Sequence, residues 1–252
     1  MTTAPRPRQP AAAPGQPGPA PASGRVFSTV RQVRSTDVTP AGRLRLDALA
    51  RYLQDAAEDD VADSGFQEPC GWLLRRCSVA IRGYPAFGEQ AVLRTFCSAT
   101  GPRWAERTTT LAGAAGDLIQ ARAVWVAVDP QSGQPRPLGP GFLSVYGQSA
   151  GGRTVSARLW HPAPDGAGEG RDWPLRAADF DTAGHVNNSV HWAAVEDLLD
   201  GAGWRPSAAE MEYHRPILPG PPARLVSRQA GGELRAWLLA GGQRLASALI
   251  TR

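Results

Sequence analysis

Apolar residues recur with a helical period at two places in the chain. Leu46, Leu49, Leu53 and Ala57 lie three or four apart, and so do Val186, Val190, Ala194 and Leu198. That spacing puts each set on one side of an amphipathic helix. A related segment stands just before each run: Arg34-Ser-Thr-Asp37-Val-Thr39-Pro-Ala41-Gly42 and Arg176-Ala-Ala-Asp179-Phe-Asp181-Thr-Ala183-Gly184. Arg, Asp, Ala and Gly coincide in the two without a gap, the mark of a duplicated unit.

Beyond each helix the pattern becomes that of strands. In the first copy these are residues 91–99, 104–112 and 118–128, with a glycine-containing link near Gly113 and Gly116. In the second they are 210–218, 223–229, 234–239 and 244–250, with Gly231-Gly232 and Gly241-Gly242 at the turns. Each copy therefore predicts a short entry strand, a helix and an antiparallel meander, an α+β unit whose sheet buries one face on the helix. The units are expected at 26–145 and 146–252, separated by the Pro/Gly-rich stretch 129–141. A flexible excursion is expected at 162–170.

Composition adds an N-terminal boundary. The first 25 residues are rich in Pro, Ala and Gly and contain no aromatic residue, Leu, Ile or Val. They cannot bury enough surface to offset ordering, so residues 1–25 are expected to be disordered and dispensable. Proline interrupts any secretory apolar stretch there, and no run elsewhere approaches the roughly 18 apolar residues of a membrane helix. A cytoplasmic protein without a membrane partner is the expectation.

The 27 basic residues are all Arg, and the formal net charge is +4 with a pI of 9.4. Setting aside Arg6, Arg8 and Arg25 leaves the rest close to neutral, so no nucleic-acid partner is expected. The three cysteines, Cys70, Cys77 and Cys97, form no C-x-x-C pair and read as small buried apolar side chains.

The densest polar cluster is Asp179-Phe-Asp181-Thr-Ala-Gly184-His185-Val-Asn187-Asn188, at the start of the second helix. The first N–H groups of a helix lack internal partners and can polarise a carbonyl oxygen. A carboxylate just before them could attack the polarised carbon or activate water there. Asp181 is the candidate, with His185 as its partner. Gly184 would allow close backbone approach, and Asn187 and Asn188 would orient substrate.

Comparison of the copies separates chemistry from capping. Asp37 and Asp179 occur in both and are assigned to structure. Thr39, Arg43, Arg45 and Leu46 replace Asp181, His185, Asn187 and Asn188 in the first copy. The reaction therefore belongs to the second. His191 lies six residues past His185, on nearly the opposite side of the helix, and is expected to be non-catalytic, and Trp192 is expected in the core.

This cluster, together with Glu212-Tyr213-x-Arg215, resembles the acyl-acyl carrier protein thioesterase family, particularly its actinobacterial members, over most of residues 26–252. The resemblance implies a tandem hotdog fold and hydrolysis of a fatty acyl thioester to free acid and carrier thiol, without metal or other cofactor. The plant enzymes have Asn at the position of Ala183 and a Glu-Cys pair at Pro216-Ile217. Strand alternation offers Glu212 and His214 as replacements. The implied partner is an acidic acyl carrier protein, with Arg75, Arg76, Arg103 and Arg107 as candidate docking residues. A homodimer is compatible with the sequence. An acyl-CoA or polyketide-pathway thioesterase, a non-catalytic acyl-binding hotdog protein and a hotdog dehydratase are the alternatives.

Overall fold

The computed structural model describes residues 20–165 and 170–252. Ten strands form one sheet. The first five are β1 (Phe27–Gln32), β2 (Gly71–Ile81), β3 (Gln90–Thr100), β4 (Trp104–Gly113) and β5 (Gly116–Val128). The others are β6 (Gly170–Trp173), β7 (Ala208–Tyr213), β8 (Ala223–Ala230), β9 (Glu233–Ala240) and β10 (Gln243–Thr251). Three helices accompany them: α1 (Leu46–Ser64), α2 (Pro140–Ala150) and α3 (Asn188–Ala202).

The strand order is β1-β3-β4-β5-β2-β7-β10-β9-β8-β6. Read from either edge it is the same sequence of roles: entry strand, meander, then the strand that follows the helix. The halves join where β2 pairs antiparallel with β7, Cys77 opposite Met211 and Val79 opposite Ala209. Helices α1 and α3 pack against each other. One continuous core runs from Leu46, Leu49 and Val79 to Trp192, Leu199 and Met211, so the two units share a single interior.

The helix junction is also polar. Arg43, just before α1, makes a buried bidentate pair with Glu196 of α3, at 3.0 Å to Oε1 and 2.5 Å to Oε2. The Leu46 backbone N–H donates to the same Oε1 at 2.6 Å. A side chain of one unit thus caps the first turn of the other's helix. Burial works against the Arg43 charge, but the hydrogen bonds to Glu196 outweigh it and raise its pKa.

The structure departs from the sequence pattern in four places. Strand β7 stops at Tyr213 rather than 218: the His214 and Arg215 N–H groups both turn to the Leu245 carbonyl, and Pro216 can donate to no ladder. Strand β2 was unforeseen because Arg75-Arg76 and a register shift between Leu74 and Arg76 interrupt its alternation. Helix α2 begins at Pro140, favourable at a first helical position, ends on left-handed Gly151, and runs through position 145/146, where the sequence placed the boundary. Its Phe142, Tyr146 and Ala150 form a second apolar cluster with Cys97 and Ala105.

The fourth correction concerns the N-terminus. Residues 1–19 lie outside the described residues, but disorder does not extend to 25. Arg25 pairs with Asp60 at 2.6 Å and with Asp63 at 2.6 Å, and Gly24 lies against the backbone of Ser149 in α2. Asp60 is 1% exposed and also receives Arg107 at 2.6 Å, so two guanidinium groups satisfy one buried carboxylate. Among the described residues, no helix is long and apolar enough to cross a membrane.

A chain starting at Gly24 is expected to keep its melting temperature, whereas one starting at Val26 leaves Asp60 with a single partner. Because Arg25 is partly exposed, the loss is about 1 kcal/mol, or about 2–4 °C for a chain of this size. Calorimetry of the two truncations measures the difference.

Candidate active site

The turn before α3 repeats the turn before α1 bond for bond. In the first, Asp37 Oδ2 accepts the Arg34 N–H at 2.9 Å, and the Thr39 N–H donates to Arg43 O at 2.8 Å. In the second, Asp179 Oδ2 accepts the Arg176 N–H at 2.7 Å, and the Asp181 N–H donates to His185 O at 2.8 Å. Both buried aspartates pin single-turn 3₁₀ segments (Ser35–Asp37 and Ala177–Asp179), as a capping role demands. Gly42 and Gly184 take φ of +79° and +74°, and a Cβ at either would meet nothing within 4 Å. The positive φ is by itself a reason for glycine at both positions.

The turns differ in what their side chains leave free. Thr39 Oγ1 accepts the Arg43 N–H at 3.2 Å. At the corresponding place Asp181 Oδ1 accepts the Ala183 N–H at 2.9 Å and the His185 N–H at 3.3 Å. A threonine has then used its oxygen, whereas Asp181 keeps Oδ2, which has no partner among the described residues. His185 is half-buried, and its ring nitrogens likewise have no partner among the described residues.

Asn187 is the N-cap of α3, its Oδ1 accepting the Ser189 N–H at 2.9 Å and the Ser189 hydroxyl at 2.8 Å. Its carboxamide oxygen is committed to the helix. Asn188 opens the helix, and its carbonyl accepts the Tyr213 hydroxyl at 3.2 Å. The Trp192 indole N–H donates to that hydroxyl at 3.0 Å. His191 is buried, with Nδ1 3.1 Å from Asn187 O, and burial lowers its pKa to about 4, leaving it neutral.

Asp181 and Asn188 stand at the edge of a cavity of about 460 Å³. Its walls are mostly apolar and come from the first unit: Ala57 and Val61 of α1, Trp72, and Phe142 and Tyr146 of α2. Gln54, Glu58, Glu106 and Arg107 are its main polar contributors from that unit. The residues that differ between the two turns thus meet an apolar chamber built by the opposite half.

Glu212 and His214 are not brought to this place. On β7, Met211 and Tyr213 face the helices, while Glu212 faces the other side of the sheet. There Glu212, fully buried, accepts the Trp160 N–H at 2.6 Å and the His161 N–H at 3.1 Å. His214 Nε2 lies 3.1 Å from Ser247 Oγ, which also meets His161 Nδ1 at 3.1 Å. The alternation was legible, but not which face of the sheet carries the cavity. Burial would raise the Glu212 pKa, and the hydrogen bonds from His214 and the two backbone N–H groups overcome it and hold the carboxyl below its ordinary range.

The expected docking arginines are also mostly committed. Arg75 donates to Tyr213 O at 3.2 Å, Arg76 stacks 3.9 Å from the Trp160 ring centroid, and Arg107 pairs with Asp60. Only Arg103 of the four is exposed. The sequence reading did not single out Gln54, Glu196 or His161. The first two occupy corresponding positions in the duplicated helices and could have been found by extending the internal alignment.

Residues 24–146 match the family model for the acyl-ACP thioesterase N-terminal domain. The first unit thus carries the acyl-ACP thioesterase N-terminal domain. It is 28% identical over 235 residues to the uncharacterized proteins MT2057 and Rv2001 of Mycobacterium tuberculosis, covering 92% of this chain and 94% of each relative. Among solved structures, the 12:0-ACP thioesterase of Umbellularia californica superposes with a TM-score of 0.77 at 19% identity, covering 90% of this chain and 96% of that one. An acyl-ACP thioesterase of Bacteroides thetaiotaomicron gives 0.74 at 17%, covering 90% and 97%. The fold is the double hotdog.

Glu212→Gln keeps one acceptor oxygen but leaves a buried N–H group facing an amide. It is expected to lower stability by about 1–3 kcal/mol while turnover stays within a few-fold. The Glu212 contribution to wild-type stability is present above the ordinary carboxylate range and is lost as pH falls through its depressed pKa. Melting curves of both proteins from pH 7 down to acid should therefore converge.

Proposed function

We propose that the protein hydrolyses the thioester of a fatty acyl-acyl carrier protein, with Asp181 as the carboxylate that activates water and His185 as its proton-handling partner. The observation that carries the assignment is the free Oδ2 of Asp181 at the edge of an apolar cavity, beside the opening turn of α3. The cavity suits an alkyl chain, and the Asn188 N–H at the helix start suits the thioester oxygen.

Two backbone N–H groups hold Oδ1 and so fix the carboxylate plane. Oδ2 takes a proton from water as the water oxygen attacks the carbonyl carbon, and the developing oxyanion rests against the Asn188 N–H. Collapse of the tetrahedral species breaks the C–S bond. The departing thiolate recovers the proton, relayed in this reading by His185, giving free acid and carrier thiol. Asn187 sets the helix entry rather than touching substrate, and the first unit contributes the chamber.

An acyl-CoA substrate remains the second reading, since the cavity recognises the acyl chain and not its carrier. Three of the four arginines first considered for an acidic carrier are used internally, which leaves Arg103 as the exposed candidate from that set.

Thiol release on a panel of acyl-carrier and acyl-CoA substrates is the test, and faster release from the carrier substrates is expected. Asp181→Asn, nearly isosteric and still able to accept at Oδ1, should reduce turnover by about 10²-fold or more with little change in melting temperature. Near-normal turnover by the folded variant would overturn the assignment. His185→Ala should also slow release, and the double variant should lose less than the product of the two effects. In the other half, Thr39→Ala should leave turnover within a few-fold, because that oxygen serves only its own turn.

A further inference from the structure

The internal symmetry locates one more participant. Glu196 on α3 and Gln54 on α1 occupy the same position in the two copies, as do Arg43 and His185, and Leu46 and Asn188. In the first turn, Glu196 reaches across the helix junction, holds Arg43 and accepts the Leu46 N–H. The second turn has the same backbone but neither charge: His185 stands for Arg43 and Gln54 for Glu196. Gln54 lines the cavity together with Asp181 and Asn188.

The consequence is visible in the hydrogen bonds. The Leu46 N–H is capped by a carboxylate, whereas the Asn188 N–H has no acceptor among the described residues. Gln54 does not supply one. Its Nε2 donates instead to Glu58 Oε1, one turn further along α1, at 3.1 Å. A primary amide has a second N–H on that nitrogen, and here it has no protein partner among the described residues.

We propose that Gln54 is a catalytic residue: its free carboxamide N–H and the Asn188 backbone N–H together receive the thioester oxygen as it becomes an oxyanion. Glu58 orients the amide. A glutamate at position 54, as at 196, would accept the Asn188 N–H and close this oxygen site, and it would also add a negative charge to the cavity beside Glu58 and opposite Asp181. The exchange of Glu for Gln between the copies converts a cap into a donor. Gln54 binds the oxygen throughout the reaction and exchanges no bond with the substrate. The inference rests on Asp181 as the site carboxylate.

Three single variants, Gln54→Glu, Gln54→Ala and Asp181→Asn, test it in the full-length protein with an acyl-carrier or acyl-CoA substrate that the wild type hydrolyses. Gln54→Ala should lower kcat about 10²-fold with KM within a few-fold, the scale for losing one oxyanion donor. Gln54→Glu should keep the melting temperature within a few degrees of wild type, the new cap on the Asn188 N–H offsetting repulsion from Glu58 one turn on, while lowering kcat at least about tenfold and moving the acidic limb of the kcat/KM profile to higher pH, as a further carboxylate facing Asp181 requires. A purely structural Gln54 would show no such separation of stability from rate. Folded Gln54→Ala and Gln54→Glu proteins with kcat within threefold of wild type would overturn the proposal while an inactive Asp181→Asn left the site assignment standing. Near-normal turnover by Asp181→Asn would overturn both.

Discussion

The Arg43–Glu196 pair is the contact on which the arrangement of the two units depends. Each charge is buried and is compensated by the other and by backbone groups at the start of α1, with the Tyr84 ring also against the Arg43 guanidinium. Removing either partner would leave an unpaired charge in the interior, a loss on the order of 3–5 kcal/mol. With the β2–β7 ladder behind it, the pair fixes the helices side by side and determines what each presents to the other's opening turn. The cavity, with walls from one unit and a carboxylate from the other, exists only in that register.

The duplication has been put to two uses. Both turns keep the buried aspartate, the left-handed glycine and the same backbone bonds, because the chain cannot enter the helix in this way without them. Where the backbone makes no such demand, the copies diverge. The first turn fills its positions with Thr39, Arg43 and a carboxylate from the facing helix, and Thr39 Oγ1, the Arg43 guanidinium and the Leu46 N–H all find partners. The second holds Asp181, His185 and an amide from the facing helix, and leaves a carboxylate oxygen, a helix N–H and an imidazole unspent. Unused hydrogen-bonding capacity beside an apolar chamber is costly to a fold and useful to a reaction.

Much of this was legible in the sequence because it is local. The repeated segment, both helices and the meander strands are set by spacing over a few residues, and the contrast between Thr39 and Asp181 required only an alignment of the chain with itself. What depended on distant partners was not legible. Alternation along β7 placed Glu212 and His214 on one face, but only the packing of α3 reveals that the other face carries the cavity. Helix α2 was hidden behind the Pro/Gly-rich stretch 129–141, since Pro140 at its start marks a linker as readily as a helix. Nor was the left-handed φ of Gly184 legible, since the sequence identifies a glycine without its backbone angle.

The division of the site between the halves bears on how such enzymes diversify. Substitutions in α1, α2 and the first meander reshape the chamber without touching the turn that holds Asp181, and those in the turn leave the chamber intact. With Asp181 as the site carboxylate, acyl preference and bond-breaking would be exposed to selection as nearly separate traits, and Gln54 would be among the few residues that answer to both. A lineage can drift in substrate range along one half of its gene while the other half stays under strict constraint, an asymmetry of evolutionary rate that the duplication itself made available.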